Sequence, residues 1–254
     1  MKNNATPKRG LQKAAAVLFA LIVWQAAAML LDQGILLASP LQVLARLTTV
    51  WREPGFLPAL WFSFSRIVAG FLLGLVCGIA LAIPAGRFRL IENLLWPFML
   101  TIKSVPVASF IVLALIWLSS SKLSIFISFL MVLPIIYTNV LNGIHSIDPQ
   151  MTQMADVFGV PHGRRLVYIW LPHVKPFLLS ACNVALGLSW KSGIAAEIIG
   201  IPGGSVGEAL YYAKVYFNST DLLAWTAIIV LISVAFEKLF MALLKKGFAG
   251  LGRL

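Results

Sequence analysis

The sequence predicts an all-α, polytopic membrane protein with six transmembrane helices and both termini in the cytoplasm. Three observations carry this prediction. First, 60% of the 254 residues are hydrophobic and only 11% are charged, whereas a soluble domain is about half apolar and about one quarter charged. Second, apolar runs of roughly 18 residues or more recur along the whole chain, each long enough to cross the hydrocarbon as a helix. Third, Lys and Arg alternate in abundance between successive gaps, the bias expected of cytoplasmic loops.

The first run is Ala14–Leu31. Lys8, Arg9 and Lys13 precede it, and Ala26, Ala27 and Ala28 resemble a signal-peptidase site. The run is long for a cleaved signal, so a retained first helix is expected. The second run spans about Pro58–Ala85, with no charge after Arg66. The third, about Leu94–Leu118, is interrupted by Lys103 and Pro106. The fourth is Leu123–Ile144. The fifth, about Pro176–Ile201, carries Lys191 and Glu197, and the sixth is Leu222–Leu244. A helix satisfies its own backbone groups, which lipid requires.

Orientation follows from the gaps. Lys2, Lys8, Arg9, Lys13, Arg87, Arg89, Arg164, Arg165, Lys175, Lys238, Lys245, Lys246 and Arg253 fall on one side. Arg46, Arg52, Lys122 and Lys214 fall on the other. The richer side is assigned to the cytoplasm. The net charge of +11 is thereby explained without nucleic acid, and residues 1–254 read as one membrane domain.

Between the first two runs, Ser39 followed by Pro40 is an N-cap with proline at the first helical position. Leu41, Leu44, Leu47 and Trp51 recur at helical spacing. A short amphipathic helix over residues 39–52 at the outer interface is expected, the alternative being an irregular loop. Gly70, Gly74 and Gly78 line one face of the second run. They predict close helix packing, either within the chain or against a second copy.

The longest cytoplasmic loop is residues 145–175. Pro149 opens a predicted helix that Gly159 ends, and Pro161 starts a second short helix running toward Leu171. Gly159 is followed by nine residues and then Ile169, Trp170, Leu171 and Pro172. This spacing resembles the cytoplasmic signature of permease subunits in bacterial binding-protein-dependent importers: Glu-Ala-Ala, three residues, Gly, nine residues, Ile-x-Leu-Pro. The Glu-Ala-Ala positions fall on Gln153, Met154 and Ala155, so only the last alanine is kept.

Further segments resemble the nitrate, sulfonate, taurine and bicarbonate branch of that family. Leu37-Ala38-Ser39-Pro40 is similar to its Leu-Pro-Ser-Pro stretch, and Lys103-Ser104-Val105-Pro106 to its Arg-x-x-Pro. Ala195, Ala196 and Glu197 before Gly200, Gly203, Gly204 and Gly207 are similar to its glycine-rich turn.

The resemblance implies a type I ABC importer fold and alternating access in a bacterial cell (inner) membrane. It also implies a second permease copy, two ABC ATPase subunits carrying ATP and Mg, and an extracytoplasmic substrate-binding protein. Loop 150–165 would dock on the ATPase, with Ala155 and Gly159 allowing close approach and Phe158 as apolar anchor. Arg164 and Arg165 either pair with acidic groups there or simply hold the loop inside. No cofactor of this chain's own is expected.

Nothing in the sequence supports enzymatic chemistry. The chain has no Gly-x-x-x-x-Gly-Lys-Ser/Thr phosphate loop, no metal-ligand spacing and no nucleophile–base pair. Cys77 and Cys182 lie inside apolar runs and read as buried thiols. Charges within spans are costly unless paired or hydrated. Lys103, Pro106, Lys191 and Glu197 are therefore the candidate pathway residues. The lysines either draw an anion or are balanced by Glu197 and backbone carbonyls. An ion-coupled secondary transporter is the alternative function, although that class tends to show internal repeats and intramembrane carboxylates.

Overall fold

The computed structural model describes residues 7–31 and 37–251, and every regular element among them is helical. Lys2 and Arg253, counted in the charge bias, lie outside the described residues. The helices are α1 (Pro7–Leu31), α2 (Pro40–Leu47), α3 (Phe56–Arg87), α4 (Arg89–Ser104), α5 (Val107–Ala114) and α6 (Ser120–His145). They continue with α7 (Pro149–Val157), α8 (His162–Arg165), α9 (Leu171–Gly200), α10 (Val206–Val215) and α11 (Ser219–Leu251). A short 3₁₀ turn covers Val50–Arg52, and a wide π-type turn covers Leu166–Trp170.

Three helices are long and apolar enough to span a bilayer outright: Phe56–Arg87, Ser120–His145 and Ser219–Gly250. The pair α4 and α5 meets the same test as one bent span. The chain divides into two compact units, Met1–Pro58 with Ala209–Ile229, and Ala59–Glu208 with Val230–Leu254.

In the first unit, the predicted short helix is α2. Ser39 Oγ accepts from the Gln42 amide at 3.3 Å, and Gln42 Oε1 accepts from the Ser39 amide at 2.9 Å. This reciprocal pair satisfies two amides that a helix start otherwise leaves open. Val43 buries with Ala38 and Ala224, and Trp24 donates to the Ala38 carbonyl at 3.2 Å. Leu41, Leu44 and Trp51 stay exposed, the pattern of a helix resting on its Val43 side. Arg46 pairs with both Asp221 and Glu53. Burial opposes its charge, yet the hydrogen bonds and charges of the two carboxylates raise its pKa above the ordinary value.

In the second unit α6 is the central helix. Its most apolar stretch is 67% buried, against 33% for α3. Gly70, Gly74 and Gly78 of α3 lie against α6. A Cβ at Gly74 would sit 2.7 Å from Val132 Cβ, and one at Gly78 would sit 2.8 Å from Ile136 Cβ. At Gly70 it would meet the Ile125 carbonyl oxygen and Ser128. The missing side chains set the distance between the two helices. α6 also meets α9, where Ser128 Oγ donates to the Ser189 carbonyl at 3.1 Å.

Two expectations need correction. The third run, interrupted at Lys103 and Pro106 as its sequence predicts, starts before Leu94. It begins at Arg89, after the single extended residue Phe88, and breaks completely: α4 and α5 meet at 101°. Pro106 forces the preceding Val105 out of the helical region, to φ −77° and ψ 132°. Hydropathy is continuous across the break, which is why composition alone shows one span.

The second correction concerns the loop after α6. The helix opened by Pro161 is not a separate short element ending near Leu171. Through the wide turn it runs on into α9, which therefore starts well before Pro176. In that turn the Leu171 amide bonds to the Leu166 carbonyl, five residues back. Pro172 and Pro176 lack amide donors, and widening a turn is how a helix accommodates such gaps.

Candidate functional site

The loop expected to dock on another protein is an internally locked hairpin. Asp148 caps α7 by accepting from the Gln150 amide at 2.8 Å, and Pro149 occupies the first turn. Gly159 ends the helix at φ +62°. The Val160 amide reaches the Ala155 carbonyl at 2.9 Å, a left-handed closing turn that favours glycine.

Arg165 then ties the two arms together. It donates to the Val160 carbonyl at 2.7 Å and the Ala155 carbonyl at 3.0 Å, and it pairs with Asp156. Its guanidinium is thus used inside the loop. Arg164 is exposed and makes no ion pair among the described residues.

The residues singled out in this loop separate into two groups. Ala155 is buried and Ile169 nearly so, which fixes them to the loop's own packing. Gln153, Met154 and Phe158 face outward, with Phe158 78% exposed beside Val157 at 83%. Leu171 is half-buried and Pro172 exposed at the start of α9. Behind the tip a cavity of about 470 Å³ is lined by Arg87, Thr152, Asp156, His162, Arg165, Leu166 and Trp170.

Glu197 sits elsewhere, fully buried near the end of α9. One carboxyl oxygen accepts from Ser63 Oγ at 2.5 Å and from the Gly207 amide at 3.3 Å. Ser63 Oγ in turn accepts from the Val206 amide at 3.0 Å. The first two amides of α10 are therefore capped by a carboxyl and a hydroxyl from two other helices, which meets the need of an exposed helix start. Ser124 is also fully buried, and its Oγ has no hydrogen-bond partner among the described residues. Gly207 fits only as glycine, because a Cβ there would strike Glu197 and lie 2.8 Å from the Ile198 nitrogen.

The structure does not pair Glu197 with either of the lysines predicted inside spans. Lys191 is exposed and makes no ion pair among the described residues. Lys103, one turn before the break at Pro106, donates from Nζ to Thr138 Oγ1 at 2.7 Å. That hydroxyl itself donates to the Pro134 carbonyl at 2.7 Å. Pro106 positions Lys103 by ending α4 directly after Ser104.

Ser63 and Thr138 were not candidates in the sequence. Thr138 carried no local signal, since a threonine bonding back to the carbonyl four residues earlier is ordinary within a helix. Ser63 carried none, being 134 residues from Glu197.

The described residues form an all-helical membrane protein with a locked hairpin presenting an apolar tip, and contain no group of His, Cys, Asp and Glu able to hold a metal. Residues 70–246 match the family described as the binding-protein-dependent transport system inner membrane component, and the chain belongs to that family. It is 26% identical to the taurine transport system permease protein TauC of Escherichia coli (strain K12), over 84% of this chain and 80% of that one. It is 26% identical to the nitrate import permease protein NrtB of Synechocystis, over 83% and 78% respectively. It is also 26% identical to the bicarbonate transport system permease protein CmpB of Synechococcus elongatus, over 61% and 55%. The chain is a transport permease subunit of the ABC class, not an enzyme, and the family carries no cofactor of its own.

Proposed function

We propose that this chain forms half of the translocation pathway of an ATP-driven importer for a small anionic solute delivered by an external binding protein. Six spans make up each half: α1, α3, α4 with α5, α6, α9 and α11. Both termini face the cytoplasm of a bacterial cell, and two copies pair in the membrane. Loop 150–165 docks on a separate ATPase, which holds the ATP and Mg and whose closure tilts the helices between inward and outward access.

The observation that carries this reading is the hairpin of α7 and α8. Its polar groups are spent internally on Arg165, while Met154, Val157 and Phe158 are presented to the outside. An apolar tip on a rigid base suits a groove on a partner protein. Gly159 has open space around it. A large side chain there strains φ by about 1–2 kcal/mol and stands in the way of a docked surface. The relatives transport taurine, nitrate and bicarbonate, which supports an anion as the solute.

The test is co-purification of the cognate ATPase, with uptake assayed in proteoliposomes, for the wild type, Phe158→Asp and Gly159→Arg. Both variants are expected to lose the ATPase while keeping a wild-type melting profile in detergent. Full ATPase association in both, or complete transport by this chain alone, overturns the reading and favours an ion-coupled transporter.

A further inference from the structure

Two cavities of the second unit share a wall. One is the polar cavity of about 470 Å³ behind the hairpin, and the other is an apolar groove of about 230 Å³. Leu166 and Trp170 of the wide turn line both. Ile79 and Ile83 of α3, Val140 and Ile144 of α6, and Val174 and Leu178 of α9 also line the groove. Ile79, Ile83 and Arg87 follow one another at intervals of four residues. One face of α3 therefore runs from the groove into the polar cavity over about 12 Å. Ile83 and Leu166 stay exposed, so the groove is open along part of its length.

The polar cavity carries an unbalanced set of donors. Arg87, His162 and Arg165 line it against a single carboxylate, Asp156. Asp156 is already paired with Arg165. Arg165 spends three of its N–H groups, on Val160, Ala155 and Asp156, and a guanidinium has five. The side chains of Arg87 and His162 make no hydrogen bond or ion pair among the described residues. Neither does the indole N–H of Trp170, on the wall between the two cavities. An amphipathic ring of this kind suits the boundary between head groups and acyl chains.

We infer that the two cavities together hold one anionic glycerophospholipid. Its phosphate lies in the polar cavity on Arg87, His162 and Arg165, and one acyl chain runs along the groove past Ile83 and Ile79. Basic pockets between membrane helices take anionic head groups in this way. A zwitterionic lipid would bring an ammonium beside Arg87 with only the paired Asp156 to receive it. Free phosphate would satisfy the cations but leave the apolar groove unfilled. The inference needs only that the chain lies in a bilayer, and it goes beyond the docking of the hairpin.

The test is native mass spectrometry of the purified full-length chain, stripped of lipid in detergent and titrated with dioleoylphosphatidylglycerol or dioleoylphosphatidylcholine. One phosphatidylglycerol per chain is expected to bind, about tenfold or more tightly than phosphatidylcholine. Inorganic phosphate at the same concentration should not displace it. Arg87→Gln should weaken binding by about tenfold or more, as for a charged hydrogen bond, and Arg87→Lys should retain most of it. Arg89→Gln removes an equal charge from a residue that lines neither cavity and should bind as wild type. Ile83→Trp fills the groove from an exposed position and should weaken the lipid while keeping the wild-type melting profile. The inference is overturned if neither lipid binds, if the two bind alike, or if phosphate displaces the lipid at equal concentration. It is also overturned if Arg87→Gln and Ile83→Trp bind no more weakly than Arg89→Gln. Loss of ATPase association by Arg87→Gln with lipid binding intact overturns it too, and gives the cavity to an acidic segment of the ATPase. Failure of lipid binding leaves the importer reading standing, because that reading is tested on Phe158 and Gly159. Failure of those variants to lose the ATPase leaves the lipid site standing.

Discussion

Three glycines near the α9–α10 turn differ in what a methyl group would meet, and they should respond in a graded way. At Gly207 an added Cβ collides with Glu197 and lies 2.8 Å from the backbone nitrogen of Ile198. Backbone atoms cannot rotate aside, so Gly207→Ala must push the start of α10 away from α9. Overpacking of this kind costs about 1–3 kcal/mol. The shift also breaks the 3.3 Å bond from the Gly207 amide to the buried carboxyl, a further loss of about 1–3 kcal/mol. Roughly 4 kcal/mol in total corresponds to a fall in melting temperature of about 8–16 °C for a domain of this size. At Gly204 the space is open but φ is +72°, so Gly204→Ala costs about 1–2 kcal/mol through backbone strain alone. Gly203 has open space and no positive φ, so Gly203→Ala should be nearly silent. Thermal unfolding in one detergent, with hydrogen exchange at the Val206 and Gly207 amides, reads all three. Equal melting temperatures for Gly203→Ala and Gly207→Ala, with unchanged exchange at those amides, would refute the account of Glu197 as the cap of α10.

Other outcomes follow from the same geometry. Gly74→Ala places a methyl 2.7 Å from Val132 Cβ and should destabilise the α3–α6 contact by about 1–3 kcal/mol. Gly187→Ala, in open space on α9, should be neutral or stabilise by up to about 1 kcal/mol through helix propensity; both are read as melting temperatures. Arg165→Met removes two carbonyl partners and the Asp156 pair, so amide exchange over residues 155–160 should accelerate at least tenfold, whereas Arg164→Met should leave it unchanged. Arg46 is partly exposed, so Arg46→Met should cost no more than about 1 kcal/mol and less at high salt. Because the pKa of Arg46 is raised, its contribution is complete below the ordinary guanidinium value and disappears only as pH climbs through the still higher folded value. A melting titration from neutral pH to about pH 10 should therefore show no loss that depends on Arg46.

Helix positions were most legible where the apolar run and the fold obey the same rule. The run Leu123–Ile144 became α6, Ser120–His145, because that helix is surrounded by apolar neighbours. The capping of α2 by Ser39 and the left-handed turn at Gly159 were also readable, since both depend on neighbours in the chain. The break at Pro106 was only half legible. Its proline was visible, but whether a helix bends or stops depends on what the following segment packs against. The start of α9 was missed because Pro172 and Pro176 look like barriers, while the wide turn absorbs them. Glu197 stood out as a buried charge, yet its partners come from Ser63 and the α10 amides, which no local pattern joins to it.

The wide turn at Leu166–Trp170 makes α8 and α9 one continuous rod. From His162 to Gly200 it counts 39 residues (200 − 162 + 1), or about 58 Å at helical rise. One end carries the hairpin clamped by Arg165, and the other carries the carboxyl that fastens α10. Such a rod is a lever arm: a tilt of about 10° at the hairpin end sweeps the far end through about 10 Å, several times the length of a hydrogen bond. Small movements at the hairpin end need no relay of side chains to be felt at the glycine-rich turn, because the backbone itself is the linkage.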